Sequence, residues 1–281
     1  MTDTKWRIGK SFAKYSKQAA TPFDRKRKGF YIGTVETGSV LEDDARLIAS
    51  RVKGFVFDGN RLTLVDEGMT EEARAAALAA AASLLRDEGR ITAWRDELLD
   101  VRPIAGGSRL AVMERSAFRL LGLVTVAVHM NGVASDGRIW TSQRSDSKAI
   151  NPGKWDNLAA GMVSAGETPE EAMRREAHEE AGLSESDYEL APYVTFFSSR
   201  PTTTGWMLER TLCYNASLRD GVIPRNLDGE VQATELLDPD QMAELVARGK
   251  VTAEASLAVL AWLAERTGKI LPEGFYKPFR P

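Results

Sequence analysis

The chain has 281 residues, 43% hydrophobic and 27% charged, with a formal net charge of −3. That balance excludes a disordered polymer, and the slight negative charge gives no general attraction to nucleic acid. A single cysteine, Cys213, excludes an internal disulfide and fits a reducing compartment, so a cytoplasmic protein is expected.

Residues 1–29 form a basic N-terminal extension, with Lys5, Arg7, Lys10, Lys14, Lys17, Arg25, Lys26, Arg27 and Lys28 against Asp3 and Asp24. The favoured reading is a solvated or partly ordered segment that Trp6, Phe12 and Tyr15 could dock on the body. An arm for an anionic partner and a transit peptide are the alternatives. There is no apolar signal core for secretion and no apolar run near 18 residues, so no membrane partner is expected.

Residues 30–115 read as a small α+β domain. GFYIGTV is strand-like and LEDDARLIASR helical. GFVFDGNRLTLVDEG carries two alternating runs around Asp58-Gly59-Asn60, a hairpin pattern. TEEARAAALAAAASLLRDEG is a helix with Thr70 as N-cap and Gly89 just past its end. ITAWRDELLDVRPI and RLAVMERSAFRLLG stay ambiguous between strand and helix. Arg109, Arg115 and Arg119 could form a ridge toward an anionic substrate, although a solvated face is the plainer account. Residues 116–281 form the second domain. LVTVAVHMNGV, RIWTSQRS, YELAPYVTFFSS, WMLERTLCYNASL and EVQATELL are strand-like, and DPDQMAELVARG and TAEASLAVLAWLAERTG are helical, each ending in glycine.

The stretch 161–183, GMVSAGETPEEAMRREAHEEAGL, organises this domain. Thr168 supplies an N-cap, Pro169 the first helical position, and Glu171 completes a capping box; Gly182 suits a left-handed C-cap. The helix expected over 169–181 puts Glu176, Glu179 and Glu180 within roughly 100° of arc, with Met173 and Ala177 inward and His178 solvated. Three carboxylates on one arc repel unless a cation lies among them. With no cysteine or paired histidine here, the implied ion is Mg²⁺ or Mn²⁺. Arg175 lies four residues from both Glu171 and Glu179 and can hold a carboxylate in place.

Gly161, Glu167, Arg175, Glu176, Ala177, Glu179, Glu180, Gly182 and Leu183 together resemble the Nudix box at every fixed position. The resemblance implies an α/β/α sandwich with a mixed sheet and metal-dependent hydrolysis of a small-molecule diphosphate. It implies Glu176, Glu179, Glu180 and the main chain near Ala160 or Gly161 as metal ligands, and Glu176 as an alternative water-orienting base. Arg175 would position a glutamate, and Glu167 would tie down the loop. A later-loop glutamate often assists, and Glu230 is the candidate. Arg144 and Lys148, ahead of the box, are candidates for phosphate binding. His129 reads as a structural strand residue, Cys213 as a buried one, and Phe196, Phe197 and Trp206 as core aromatics that could instead stack on a substrate.

VHMNG, IW-x-x-x-RS and K-x-x-x-PGKWDN-x-x-AG, spanning Val128 to Gly161, look like the Nudix branch related to the segment fused to fungal thiamine pyrophosphokinase. That branch implies hydrolysis of thiamine diphosphate or its oxidised analogues to the monophosphate. Trp155 and the single Gly161 depart from its pattern. An ADP-sugar or dinucleotide pyrophosphatase and a non-catalytic Nudix ligand-binding protein are the alternatives. Isopentenyl diphosphate isomerases share RS-x-x-K-x-x-x-PGKW, but that resemblance implies a nearby catalytic cysteine and an altered box. A homodimer is left open.

Overall fold

The computed structural model describes residues 2–148 and 150–279. The first half, after an initial helix, builds on a four-stranded sheet of order β2-β1-β4-β3, from β1 (Arg27–Ile32), β2 (Val35–Leu41), β3 (Phe55–Phe57) and β4 (Arg61–Leu64). GFYIGTV is therefore two strands, not one. Gly33, at φ +58°, makes the turn that reverses the chain between them. Helices α2 (Glu42–Arg51) and α3 (Glu71–Asp87) cover this sheet, and Thr70 caps α3 as expected by accepting from the Ala73 amide. Both ambiguous stretches resolve into a two-stranded ribbon, β5 (Leu98–Val101) with β6 (Ala111–Glu114). Phe30, Ile48, Leu62, Leu78, Leu85 and Phe118 share one core in this half.

The second half is a sandwich around a mixed sheet of order β13-β8-β7-β12-β11-β14. Its strands are β7 (Val124–Val133), β8 (Ile139–Arg144), β11 (Tyr188–Thr202), β12 (Gly205–Leu218), β13 (Val231–Leu237) and β14 (Lys277–Pro278). β7 and β12 run parallel and the other pairs antiparallel; β9 (Trp155–Asp156) adds to β8, and β10 (Ala159–Met162) to β7. α4 (Pro169–Ala181) packs Ala172, Met173 and Ala177 on one face against Val128, Met130 and Tyr214. α5 (Pro239–Ala247) and α6 (Ala253–Thr267) cover the other.

The N-terminal segment, read as solvated or partly ordered with Trp6, Phe12 and Tyr15 able to dock it, is a full helix, α1 (Thr2–Ala19), docked on α5 and α6. Ile8, Phe12, Tyr15 and Ala19 recur at helical spacing and are buried there, and Tyr15 donates to the Val246 carbonyl at 3.3 Å. Trp6 takes no part, being 60% exposed. No helix among the described residues is long and apolar enough to cross a membrane.

Candidate active site

The site is built on α4, whose limits follow from local chemistry. The Thr168 hydroxyl accepts from the Glu171 amide at 3.2 Å, while Glu171 accepts from the Thr168 amide at 2.8 Å. Gly182 closes the helix at φ +62°. Between these caps, Glu176 and Glu180 reach β10, Glu179 meets Arg175 at the surface, and His178 is exposed. A Cβ on Gly161 would overlap the Glu176 carboxylate, so the bare glycine is what admits that side chain against the strand. Glu180 is 8% exposed and accepts from the Ala160 amide at 2.9 Å.

Arg175 fixes this array. It grips Glu167 with two bonds of 2.9 and 3.0 Å and reaches Glu176 at 2.7 Å, Glu179 at 3.2 Å and the Met162 carbonyl at 3.0 Å. Of the two glutamates four residues away, Arg175 therefore holds Glu179 and not Glu171, whose carboxylate the capping box has already engaged. Glu167 also accepts from the Ser164 amide, which ties down the loop. These hydrogen bonds, Glu167 first, raise the Arg175 pKa above its ordinary value. Burial pushes Glu176 up against the lowering effect of Arg175, and pushes Glu180 up to about 8.

The opposite wall comes from two segments distant in sequence. Arg144, at the end of β8, pairs with Asp156 at 3.2 Å, and Lys148 pairs with Glu230. Burial, then the neighbouring Arg144, lowers the Lys148 pKa. The loop carrying Asp228 and Glu230 is tied to the end of α4, since the Arg225 amide donates to Ala181 and the Leu227 amide to Glu179. Glu180, Asp228 and Glu230 consequently offer carboxylate oxygens all within 4.8 Å of one another. The expected candidates Arg144, Lys148, Gly161, Arg175, Glu176, Glu179, Glu180 and Glu230 thus gather at one place. Asp156 and Asp228 join them without having been singled out as site residues; only the PGKWDN run and the Asp228-Gly229 turn mark them in the sequence.

Other candidates lie elsewhere. Arg109 pairs with Glu71 and Asp100, and Arg115 with Glu97, so these two do not form a free cationic ridge. His129 is buried and bonded to Asn157 at 2.8 Å. Phe196 packs on Phe275 and Tyr276, and Trp206 on Phe23, while Phe197 is 37% exposed.

Residues 124–260 match the NUDIX domain profile, and residues 12–125 match a domain of unknown function, DUF4743. A Nudix hydrolase of Pseudomonas aeruginosa, itself uncharacterized, is 33% identical over 132 residues, covering 47% of this chain and 72% of that protein. The chain belongs to the Nudix hydrolase family. Nudix hydrolase 24, chloroplastic, of Arabidopsis thaliana is 32% identical over 206 residues, 72% of this chain. This Nudix chain spans 56% of the length of that relative. An isopentenyl-diphosphate Delta-isomerase of Leifsonia xyli is 35% identical over 114 residues, 40% of this chain and 60% of that protein.

Proposed function

We propose that this chain is a pyrophosphohydrolase. It would cleave the diphosphate linkage of a nucleoside-diphosphate-like or thiamine-diphosphate-like small molecule and release a monophosphate. The observation that carries the reading is the gathering of the Glu180, Asp228 and Glu230 carboxylates at the helix whose Glu176 and Glu179 are held by Arg175, with Lys148 paired to Glu230 and Arg144 to Asp156. Such crowded carboxylates are costly to ionise together without a cation among them. The donors are carboxylate oxygens, with neither His nor Cys in the cluster among the described residues, which fits a hard divalent ion, Mg²⁺ or Mn²⁺. Glu179, Glu180 and the main chain at Gly161 would hold it, Glu176 would be either a further ligand or the group that orients and deprotonates the attacking water, and Glu230 would assist.

A divalent ion, when bound there, would supply neutralisation of phosphate charge and a more acidic water. Arg144 and Lys148 would bind the diphosphate oxygens, exchanging their carboxylate partners for phosphate. Water attacks one phosphorus, the bridging P–O bond breaks, and the other phosphate leaves with the bonding electrons. Glu176, whose proton affinity burial raises, would take the proton of the attacking water. Arg175 would keep Glu176 and Glu179 in register throughout.

The run from Val128 to Gly161 supports a thiamine-type substrate. An ADP-sugar or dinucleotide substrate and ligand binding without turnover are the competing outcomes. The likeness to an isopentenyl-diphosphate Delta-isomerase raises another, but Cys213 lies fully buried in β12 with its thiol pushed up by burial. A screen with Mg²⁺ over thiamine diphosphate and its oxidised analogues, nucleotide sugars and dinucleotides, read by chromatography, decides among them. Glu179→Gln and Glu180→Gln are each expected to lower turnover at least about a hundredfold with unchanged circular dichroism. Unchanged turnover in both variants overturns the mechanism.

A further inference from the structure

The box loop does not stand alone. Its middle residues meet the first half of the chain at the start of β5. The Ala165 amide donates to the Leu98 carbonyl at 2.8 Å, and the Ser164 hydroxyl to the Glu97 carboxylate at 3.4 Å. Glu97 is itself held, because Arg115 pairs with its side chain at 2.6 Å and the Arg115 amide donates to its carbonyl at 2.8 Å. Met162, one residue past Gly161, packs against the core of the first half. On the other side of the loop, the Ser164 amide donates to Glu167, and Arg175 joins Glu167 to Glu176 and Glu179. An unbroken series of contacts therefore runs from Arg115 through Glu97, Ser164, Glu167 and Arg175 to the catalytic carboxylates.

We infer that the N-terminal half, through Glu97 and the Leu98 carbonyl, is a positioning element that holds the 163–167 loop and thereby sets the geometry of the carboxylate array. This deepens the proposed hydrolase reading and rests on it for the role of those carboxylates. The physical case is one of pre-organisation. Arg175 can align Glu176 and Glu179 only as well as Glu167 is itself placed, and Glu167 sits on a loop of non-repetitive backbone. Bonds from a packed domain reduce the conformations that loop would otherwise explore before a cation could bind. Glu97 bonds Arg115 and Ser164 and none of the carboxylates on α4, so its effect reaches the site through Ser164, Glu167 and Arg175.

The loop geometry offers a clean test. The Glu167 amide donates to the Ser164 carbonyl at 3.1 Å, and Gly166 sits at φ +81°, the signature of a type II turn with Ala165 at its second position. Proline suits the φ of that position, but its ring carbon replaces the amide hydrogen that meets the Leu98 carbonyl, so the substitution removes that bond and also pushes the loop off β5. In the full-length protein, Ala165→Pro is expected to keep the turn yet weaken Mn²⁺ binding, read by electron paramagnetic resonance, by at least about 10-fold, since it displaces the loop as well as removing one neutral hydrogen bond. Turnover should fall by a similar factor with KM for the substrate unchanged. Should that variant not fold, Glu97→Ala tests the same link, and Glu97→Gln, which keeps an acceptor for Ser164, should recover most of the lost Mn²⁺ affinity. A brace that acted only on stability would lower the unfolding midpoint and leave Mn²⁺ affinity alone. Wild-type Mn²⁺ affinity in folded Ala165→Pro, or in Glu97→Ala, overturns the inference. Brace-dependent Mn²⁺ binding in a protein that hydrolyses none of the screened diphosphates would instead sink the hydrolase reading and leave the brace standing.

Discussion

At residue 161 the missing side chain is what lets the Glu176 carboxylate lie against β10. Its φ is not among the positive values, so alanine is conformationally allowed, and the atoms it would strike are the far end of a flexible side chain. Gly161→Ala is therefore expected to unfold cooperatively like the parent while Mn²⁺ affinity and turnover fall about 10- to 100-fold. Parent-level turnover would show that Glu176 need not occupy that position. Glu180 makes a second prediction through its proton. Burial first, opposed by the Ala160 amide, pushes it up to about 8 in the metal-free protein, against about 4.3 for an unfolded glutamate. Between those values the folded chain keeps a proton that the unfolded chain has released. The group's contribution to stability is thus full below about pH 4.3 and is lost as pH rises through about 8. In chelator, Glu180→Gln should lose less stability than the parent across roughly pH 5 to 8, measured by thermal unfolding. An identical pH slope in parent and variant would contradict a raised Glu180. If Glu180 is a ligand as proposed, metal binding would expel that proton, and Mn²⁺ should bind more tightly at pH 8 than at pH 6.

Helix α4 was legible because its signals are local. Thr168, Pro169, Glu171 and Gly182 act on backbone groups within a turn of themselves, and the structure has the capping box and left-handed cap they imply. Thr168→Ala removes the hydroxyl that receives the Glu171 amide and should cost about 1 kcal/mol, lowering the unfolding midpoint by roughly 2–4 °C. A midpoint within about 0.5 °C of the parent would mean that tertiary packing alone sets the start of α4. Of the two carboxylates that helical spacing offers Arg175, it holds Glu179, because Glu171 serves the cap; the bond to Glu167, which precedes the helix, is the one that spacing along the helix does not encode. Asp156 and Asp228 are harder still to foresee. They enter the site through hydrogen bonds between separate elements, such as Leu227 to Glu179, and no periodicity in either segment encodes these. Likewise the split of GFYIGTV into two strands turned on Gly33, whose neighbours alone did not reveal the reversal.

Across the whole molecule, the largest departure from the sequence reading is α1. Its apolar residues have helical spacing, but the surface that makes the helix worth forming is supplied by α5, α6 and the segment carrying Phe275 and Tyr276, at the far end of the chain. Dense lysine content masked that face. The lysines occupy the outer side, where charge is solvated, and do not oppose docking. Phe12 and Trp6 separate the two faces experimentally. Phe12 is 3% exposed and meets Phe275 edge-on at 5.3 Å, so Phe12→Ala leaves a cavity between α1 and the sandwich. It should cost about 3 kcal/mol and lower the unfolding midpoint by roughly 6–12 °C. Trp6, on the outer face beneath Lys10, should be replaceable by alanine within about 0.5 kcal/mol. If α1 were the loosely attached basic arm that composition alone suggests, both substitutions would be equally silent. A large loss for Phe12→Ala with a small one for Trp6→Ala would make α1 an integral layer of the sandwich, covering the face opposite the catalytic helix.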